Sequence, residues 1–224
     1  MPPVASASRL VRAVGASARG AKVSNVRIVL FTRYPEPGKA KTRLIPALSA
    51  QGAADLHRRL TERTLQQVRA SGLAYEIRST GGDPEAFAAW LGTTAVVDQG
   101  GGDLGARLHR AAAPYPAIFI GADAPDLSPA HLRDAANALA DHDAVVGPAE
   151  DGGYWLLGLS RPLDALFRDM PWGTNQVLPT TMARLRAAGA SVAMLPLLAD
   201  LDRPDDLARW PELGGFPPQP ADRL

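Results

Sequence analysis

The sequence predicts an α/β domain: a three-layer α/β/α sandwich with a mostly parallel, Rossmann-like sheet. Two observations lead to this fold class. From residue 26 onward, short runs rich in β-branched residues alternate with longer segments whose apolar residues recur at helical spacing. The run at residues 117–121, AIFIG, is apolar throughout, as expected for a central strand covered on both faces. Such alternation places parallel strands in one sheet with helices on both sides.

Each predicted strand is a short apolar run followed by a turn signal or a helix start. The strands are predicted at residues 26–32, 74–79, 95–98, 117–121, 144–146, 154–159 and 192–195. Helices are predicted at residues 49–70, from 84 after the capping residue Asp83, at 103–113, 128–140 and 174–189, and for one or two turns at 204–210.

Length and composition favour one globular domain. The chain has 224 residues, of which 46% are hydrophobic and 21% charged, and no window approaches the roughly 18 consecutive apolar residues of a membrane span. Cysteine is absent, which excludes disulfides, zinc–thiolate sites and cysteine nucleophiles. We expect a cytoplasmic protein with a disordered extension at residues 1–24, a single domain at 25–210 and an irregular tail at 211–224.

Positive charge is concentrated at the start of the chain. Residues 1–43 carry nine Lys or Arg and one acid, Glu36, so the remainder is net acidic. The segment RYPEPGKAKTRL, at 33–44, follows the first predicted strand, and ligands of such sheets lie beyond the carboxyl ends of the strands. Its cations could neutralise a di- or triphosphate, and Gly38 lets the backbone approach a ligand; a solvated basic loop is the alternative. These cations are Arg33, Lys39, Lys41 and Arg43.

A glycine-rich turn, QGGGDLGARL at residues 99–108, lies between a predicted strand and a predicted helix. Gly100, Gly102 and Gly105 satisfy the spacing G-x-G-x-x-G, which taken alone is typical of dinucleotide-binding oxidoreductases. That fingerprint belongs after the first strand of a fold, whereas this turn follows a later one. A tight turn before a helix is the simpler interpretation.

Two acidic segments are candidates for a metal site. Asp123 ends the most apolar strand, where a carboxylate needs a partner such as a divalent cation. In the segment DLDRPDDL, at 200–207, Asp200 and Asp202 alternate, so extended backbone would point both to the same side, and Asp202 could meet the same metal. Because cysteine is absent, we expect oxygen ligands and hence Mg²⁺ or Mn²⁺.

Two further segments combine glycines or acids with aromatic residues, PAEDGGYWLLGL at 148–159 and MPWGTN at 170–175. Such groups could bind a sugar or another acceptor, although a tryptophan in the core is the common alternative. The acceptor-side candidates are Gly152, Gly153, Tyr154 and Trp172, next to Asp151.

The order of these motifs resembles a known superfamily. A basic loop, a glycine-rich turn, a strand-end aspartate, a DGG strand and D-x-D-x-P-x-D-L resemble the GT-A nucleotidyltransferases and nucleotide-sugar glycosyltransferases. RYPEPGKAKTRL, QGGGDLGARL, GADAPDLSP and EDGGYWLLGL are similar to segments of the DUF2064 family, which is related to molybdenum-cofactor nucleotidyltransferases and to phospholactate guanylyltransferase. The resemblance covers roughly residues 26–210 and implies a GT-A fold.

The resemblance also implies roles for individual residues. Lys39, Lys41 and Arg43 would contact the phosphates of a nucleotide donor. Asp123 and Asp202 would hold the metal ion. The residues that would enclose the nucleoside are Gly100, Gly101, Gly102, Asp103 and Arg107.

Nucleotidyl transfer is the preferred activity, in which an acceptor phosphate or hydroxyl attacks the α-phosphorus of a nucleoside triphosphate. The dense cationic loop suits a triphosphate. Glycosyl transfer from a nucleotide-sugar, with Asp151 as base, is the alternative, although Pro125 stands where a D-x-D motif requires an acid. A NAD-binding oxidoreductase and a non-catalytic nucleotide binder are more distant alternatives. The expected partners are a nucleoside triphosphate or nucleotide-sugar and a small-molecule acceptor, and scarce aromatics argue against nucleic acid.

Overall fold

Seven strands form the central sheet of the computed structural model, which describes residues 25–214. They are β1 (Arg27–Arg33), β2 (Ala74–Thr80), β3 (Val96–Asp98), β4 (Ala117–Ile120), β5 (Ala144–Pro148), β6 (Tyr154–Leu159) and β7 (Val192–Met194). Their order across the sheet is β3-β2-β1-β4-β6-β5-β7. Only β6 is antiparallel to its neighbours, β4 and β5. The short connection from β5 to β6 accounts for this exception, since parallel neighbours need a long crossover.

Six α-helices lie within the described residues. They are α1 (Ile45–Ser71), α2 (Pro84–Leu91), α3 (Leu104–Ala112), α4 (Pro129–Ala138), α5 (Val177–Ala187) and α6 (Pro211–Gly214). Backbone at Ser49, with φ of 66°, interrupts the first turn of α1, so regular helix begins close to the predicted start. Asp83 caps α2 as predicted by accepting a hydrogen bond from the Ala86 amide. None of these helices is long and apolar enough to cross a membrane.

The sheet has an apolar layer on each face, which confirms the predicted three-layer sandwich. Alternate residues of β1 divide between the layers: Ile28 and Leu30 pack into one cluster and Val29 into the other. The first cluster is covered by α1, α2 and α4, and the second by α3 and α5. β4 is buried along its whole length, as its apolar sequence predicts.

The folded domain extends beyond residue 210, its predicted end. Residues 211–214, predicted to begin an irregular tail, form α6 instead. Leu213 and Trp210 are buried in a third apolar cluster beside Leu56 and Leu60 of α1. The extension predicted for residues 1–24 and the remainder of the tail lie outside the described residues.

Sheet topology determines where functional side chains meet. β1 and β4 are adjacent and parallel, so the loop after β1 and the residues after β4 emerge side by side at one edge. A backbone hydrogen bond from the Leu201 amide to the Asp123 carbonyl, 2.8 Å long, brings the 200–207 segment to the same place. Three of the segments singled out in the sequence therefore meet at this edge.

Candidate active site

Two cavities open side by side at the carboxyl edge of the sheet, and Asp123 borders both. The first, here called the basic cavity, has a volume of about 360 Å³. Its polar lining residues are Thr32, Arg33, His57, Thr80, Gln99, Arg107 and Asp123. The second, the acidic cavity, has a volume of about 270 Å³. It is lined by the carboxylates of Asp123, Asp151 and Asp200 and by the aromatic residues Phe31, Phe119, Tyr154, Trp155 and Trp172.

Lys41 is the central cation of this region. Its side chain is only 4% exposed, and its Nζ lies 2.7 Å from Asp123 Oδ1 and 3.7 Å from Asp202 Oδ1. The same ammonium group donates a hydrogen bond to the Leu201 carbonyl at 2.5 Å. Lys41 has the left-handed φ of 48°, a conformation that costs energy in a residue with a side chain. The two carboxylates predicted to bind a metal therefore converge on one buried cation.

The Asp202 carboxylate is held from two further directions. Arg43 Nη1 donates to Asp202 Oδ2, in an ion pair whose arginine is 58% exposed. Asp206 fixes the backbone at this point, because its Oδ2 accepts from the amides of Asp202 at 2.9 Å and Arg203 at 2.7 Å. Lys41 and Arg43 thus approach different oxygen atoms of the Asp202 carboxylate.

The Asp123 carboxylate is stabilised in its charged form. Partial burial acts to raise the pKa of Asp123, but the attraction and hydrogen bond of Lys41, aided by His57, outweigh it, and the pKa lies below its ordinary value. The side chain is nevertheless 54% exposed. Asp123 is therefore a charged and accessible carboxylate at the boundary of both cavities.

Lys39 and Gly38 lie on the outer part of the same loop. Lys39 Nζ forms an ion pair of 2.8 Å with Glu36, and its side chain is 60% exposed. Gly38 provides a positive φ of 81° in an exposed turn. Neither residue borders the basic or the acidic cavity. Their predicted contact with phosphates stays a prediction.

The glycine-rich turn after β3 shapes the wall of the basic cavity. Gly100 and Gly102 supply the positive φ values of 75° and 95° that the turn requires. Arg107 borders the cavity, and its Nε donates to the Gly102 carbonyl at 2.9 Å. Asp103 caps α3 by accepting from the Ala106 amide at 2.8 Å. Of the residues predicted to enclose a nucleoside, Arg107 is the one that borders the cavity.

Gly101 and Gln99 are held through their backbone carbonyls by the side chain of Arg110. Arg110 donates to the Gln99 carbonyl at 2.6 Å and to the Gly101 carbonyl at 3.0 Å. Gln99 is buried, and its Nε2 bonds the carbonyls of Thr32 and Arg78 at 3.0 and 2.9 Å. Gln99 thereby ties the turn to the end of β1 and lines the basic cavity, a role that sequence reasoning missed.

Arg33 and His57 complete the basic cavity. Arg33 ends β1, and its buried Nε has no hydrogen-bond partner within the described residues. His57 Nε2 lies 3.3 Å from Thr32 Oγ1 and 3.1 Å from the Arg33 carbonyl. Burial is the main cause that lowers the pKa of His57, so the neutral imidazole is favoured. His57 was given no role from the sequence, because a lone histidine on a helix carries no motif.

The DGG segment forms one wall of the acidic cavity. Asp151 Oδ1 accepts a hydrogen bond of 2.8 Å from the Gly153 amide, which fixes the carboxylate at the tip of the turn. Gly152 has a φ of 88° and packs against Asn175, where a Cβ would come within 2.7 Å of the Asn175 Cα. Tyr154 lines the cavity, and burial raises the pKa of its hydroxyl.

Trp172 lines the acidic cavity, and Gly105 packs close to Trp172 and Phe167. Trp172 lines the cavity, and its buried Nε1 has no acceptor within the described residues. The position of Gly105 is so close to the Phe167 carbonyl that a Cβ would lie 2.0 Å from that oxygen. The third glycine of the G-x-G-x-x-G pattern therefore serves the packing of α3 against the segment that leads to Trp172.

Asp200 and Asp202, which alternation would point to the same side, have different surroundings. Asp200 borders the acidic cavity, whereas Asp202 pairs with Lys41 and Arg43. Burial and, second, repulsion by Asp151 raise the pKa of Asp200 to about 6. The two acids share no common partner because residues 200–202 do not form a regular strand, so strict alternation does not apply.

The carboxylates fit a divalent cation that is bound partly by its substrate. Within residues 25–214, no group of three or more acidic or histidine side chains could hold a metal ion by itself. Mg²⁺ is usually bound by one or two carboxylates, with phosphates and water completing its shell. Asp123 and Asp202 supply two oxygen ligands whose shared partner is already a cation, Lys41. This donor set is compatible with the predicted Mg²⁺ or Mn²⁺.

Comparison with known proteins identifies the family. The model for uncharacterized proteins conserved in bacteria (DUF2064) matches residues 64–174. The crystal structure of a candidate nucleotide-diphospho-sugar transferase from Desulfovibrio desulfuricans G20 is 35% identical, over 80% of this chain and 83% of that chain, with a TM-score of 0.75. The chain belongs to the DUF2064 family. Its membership confirms the family predicted from the motifs.

More distant structures share the fold of this DUF2064 protein. The 4-diphosphocytidyl-2C-methyl-D-erythritol synthase of Anaerococcus prevotii DSM 20548 is 11% identical, over 84% of this chain and 94% of that chain, with a TM-score of 0.55. Rv0371c from Mycobacterium tuberculosis H37Rv, solved with manganese, is 18% identical over 84% and 98% of the two chains, with a TM-score of 0.52. None of the curated proteins matches the chain. The predicted GT-A-like fold and the predicted transferase class are confirmed.

Proposed function

We propose that this DUF2064 protein is a metal-dependent nucleotidyltransferase that transfers a nucleotide from a nucleoside triphosphate to a small acceptor. One observation carries the proposal: Asp123, paired with the buried Lys41, stands where a basic and an acidic cavity meet. A transferase needs two adjacent substrate sites with its phosphate-binding groups between them. The two cavities and the Lys41 region provide that arrangement.

The donor nucleotide is assigned to the basic cavity. Arg33 and Arg107 offer cationic donors there, and the Arg33 Nε has no partner within the described residues. A buried donor without an acceptor is costly, so a nucleotide oxygen would satisfy it. The glycine-rich turn after β3 would lie along the nucleoside. The triphosphate would then extend toward Asp123 and Lys41.

A divalent cation would be held by Asp123 and Asp202 together with donor phosphate oxygens. When bound, this cation would neutralise phosphate charge and polarise the phosphorus–oxygen bonds. The structural relative Rv0371c was solved with manganese, which supports the choice of metal by analogy of fold alone. Lys41 would keep the carboxylates in place and turn its ammonium group to the phosphates as they bind.

The reaction requires one bond to form and one to break. An acceptor oxygen attacks the α-phosphorus, and the bond from that phosphorus to the bridging oxygen breaks, with the electron pair leaving on pyrophosphate. Lys41 and Arg43 stabilise the charge that develops on the phosphates, with Lys39 at the edge of the same loop. The acceptor proton passes to the Asp151 carboxylate, which borders the acidic cavity.

Glycosyl transfer from a nucleotide-sugar is the second candidate. The 35% identical relative is named as a candidate nucleotide-diphospho-sugar transferase, and the aromatic walls of the acidic cavity could hold a sugar ring. In that reaction, Asp151 would act as the base, and the nucleoside diphosphate would leave. Both candidates place the nucleotide in the same cavity, so the donor that binds and is consumed distinguishes them.

The test is a donor panel on the full chain. Thermal stability is measured with nucleoside triphosphates, UDP- and GDP-sugars and NAD(H), each with and without Mg²⁺ or Mn²⁺. A ligand at a hundredfold excess over its Kd stabilises a protein by about 2.7 kcal/mol, which a melting curve resolves. The Asp123→Ala variant is compared with Asp134→Ala, whose exposed side chain lies on α4 outside both cavities.

Nucleotidyl transfer predicts a metal-dependent shift with one triphosphate that Asp123→Ala abolishes and Asp134→Ala retains, followed by pyrophosphate release with an acceptor. A shift by a nucleotide-sugar alone, with transfer of the sugar to an acceptor and release of the nucleoside diphosphate, would instead establish glycosyl transfer. Binding of NAD(H) with no binding of any triphosphate or nucleotide-sugar would contradict both candidates.

A further inference from the structure

The acidic cavity contains no positive side chain among its described lining residues. Three aspartates border it, and arginine, lysine and histidine are missing from its wall. The basic cavity next to it has two arginines and a histidine. Phosphate and carboxylate groups are usually bound by arginine, lysine or free backbone amides. Asp123 is paired with Lys41 at the boundary, so the repulsion of an anionic acceptor comes from Asp151 and Asp200, beside which the described wall of the cavity carries no cation.

Backbone amides in two parts of the edge of the acidic cavity, the start of α5 and the DGG turn, are also occupied. The first turn of α5 borders the cavity, and a helix start can bind an anion through its free amides. Here the amides of residues 176, 177 and 178 donate to the Thr174 hydroxyl, the Thr174 carbonyl and the Gly152 carbonyl, and residue 179 is a proline. In the DGG turn, the amides of residues 152 and 153 donate to Ala149 and Asp151.

The rest of the acidic cavity is apolar and aromatic. Its aromatic side chains include Tyr154, Trp155 and Trp172. Aromatic faces pack well against the C–H faces of a saturated ring and attract cations. Trp155 is held in place by a hydrogen bond of 3.1 Å from its Nε1 to the Pro196 carbonyl. The cavity thus combines flat apolar walls with carboxylates that accept hydrogen bonds from hydroxyl or ammonium groups.

We infer that the acceptor is a small, ring-shaped molecule that carries a hydroxyl group and neither a phosphate nor a carboxylate group, so that it is neutral or positively charged. The inference rests on the proposed function. It narrows the attacking group of the acceptor from a phosphate or a hydroxyl to a hydroxyl. The aspartates make the acceptor site selective, because their negative charge repels anionic molecules that would compete with the acceptor.

The test compares matched acceptors that differ by one phosphate group. Pyrophosphate release is measured with Mg²⁺ and the triphosphate found in the donor panel, for sugars, cyclic polyols and amino sugars, each beside its monophosphate. We expect kcat/KM for the unphosphorylated member to exceed that of its monophosphate by at least about tenfold. Asp200→Asn should narrow this ratio several-fold, because it removes a negative charge from the cavity wall at a residue without a catalytic role, while Asp134→Asn should leave it unchanged.

The outcomes separate this inference from the proposed function. A monophosphate that is the better member of its pair, or a ratio that Asp200→Asn does not alter, overturns the inference while nucleotidyl transfer stands. Donor binding without turnover of any unphosphorylated ring in the panel also overturns it. If no triphosphate binds at all, the proposed function fails, and the inference fails with it.

Discussion

The two cavities share Asp123, Phe31 and Leu104 and yet differ in charge. The basic cavity is walled by Arg33, Arg107 and polar groups, and the acidic cavity by carboxylates and aromatic rings. This difference follows from the sheet. The basic cavity lies at the ends of β1, β2 and β3, whereas β4 and β6 carry the acidic cavity. In the proposed transferase, the difference in charge would direct the anionic donor to the basic cavity and a non-anionic acceptor to the acidic cavity.

The boundary between the cavities is itself neutralised. Lys41 lies against Asp123 and near Asp202, and Arg43 pairs with Asp202, so two cations of the β1 loop balance the acids of two other segments. Loss of an acid is costly here, because it leaves the buried ammonium group of Lys41 with one partner fewer. We therefore expect the largest effects of substitution at this boundary and smaller effects within either cavity.

Removal of the shared carboxylate should have the largest effect. Asp123→Asn removes the charge of a proposed metal ligand, and we expect a loss of about 100-fold or more in kcat/KM. Initial rates are measured with the triphosphate of the donor panel and compared with Asp134→Asn. Since Lys41 also loses its closest carboxylate partner, the unfolding midpoint is recorded in parallel. Retention of more than half the wild-type rate would contradict a role at the boundary.

The packing of α3 beside the acidic cavity can be tested separately from charge. In Gly105→Ala, the added Cβ would lie 2.0 Å from the Phe167 carbonyl, so the backbone must shift. We expect a decrease of about 1–3 kcal/mol in the free energy of unfolding, measured by urea denaturation. Gly101→Ala is the matched control, since a Cβ there has open space around it. Equal stability of the two variants would show that the helix can move at no cost.

Loss of a cation from the basic cavity should weaken nucleotide binding. Arg107→Ala removes a guanidinium group from its wall, and we expect Kd for the triphosphate to rise about tenfold, the size of a hydrogen bond to a charged group. Titration calorimetry measures the change, and a rise in salt should reduce the difference. A rise in acceptor KM at unchanged nucleotide Kd would place the donor in the other cavity.

The smallest expected effect lies outside both cavities. The hydrogen bond from Arg161, followed by that from the Ser191 amide, lowers the pKa of Asp143 to about 2. Because this value is below that of an unfolded aspartate, about 3.9, Asp143 stabilises the fold above pH 4 and loses its contribution as the pH falls toward 2. Asp143→Asn should therefore lower the unfolding midpoint slightly at pH 7. The curves of variant and wild type should converge near pH 2.

The fold was predictable because local patterns and topology agree. The fully apolar AIFIG run became the buried strand β4, and Asp83 capped the helix that it was expected to cap. The edge of the sheet that holds the site follows from strand order, so the positions of Asp123 and of the basic loop were also predictable. The alternation of apolar runs and helical segments could not show that β6 is antiparallel, because strand direction depends on pairing in three dimensions.

Details of the site depend on contacts between distant segments. Lys39 and Lys41 are two residues apart and look alike in sequence, yet Lys39 is exposed and Lys41 is buried against Asp123. The left-handed backbone at Lys41 makes that difference, and no residue type in the loop signals it. Asp200 lines the acidic cavity because the segment departs from a regular strand.

The most direct test of the account is a crystal structure with a nucleoside triphosphate and Mn²⁺, in which the anomalous signal locates the metal. The account predicts manganese bound to the Asp123 carboxylate, the nucleoside beside Arg107 in the basic cavity, and the acidic cavity left open to an acceptor. A nucleoside stacked between Trp155 and Trp172, or manganese remote from Asp123, would contradict it.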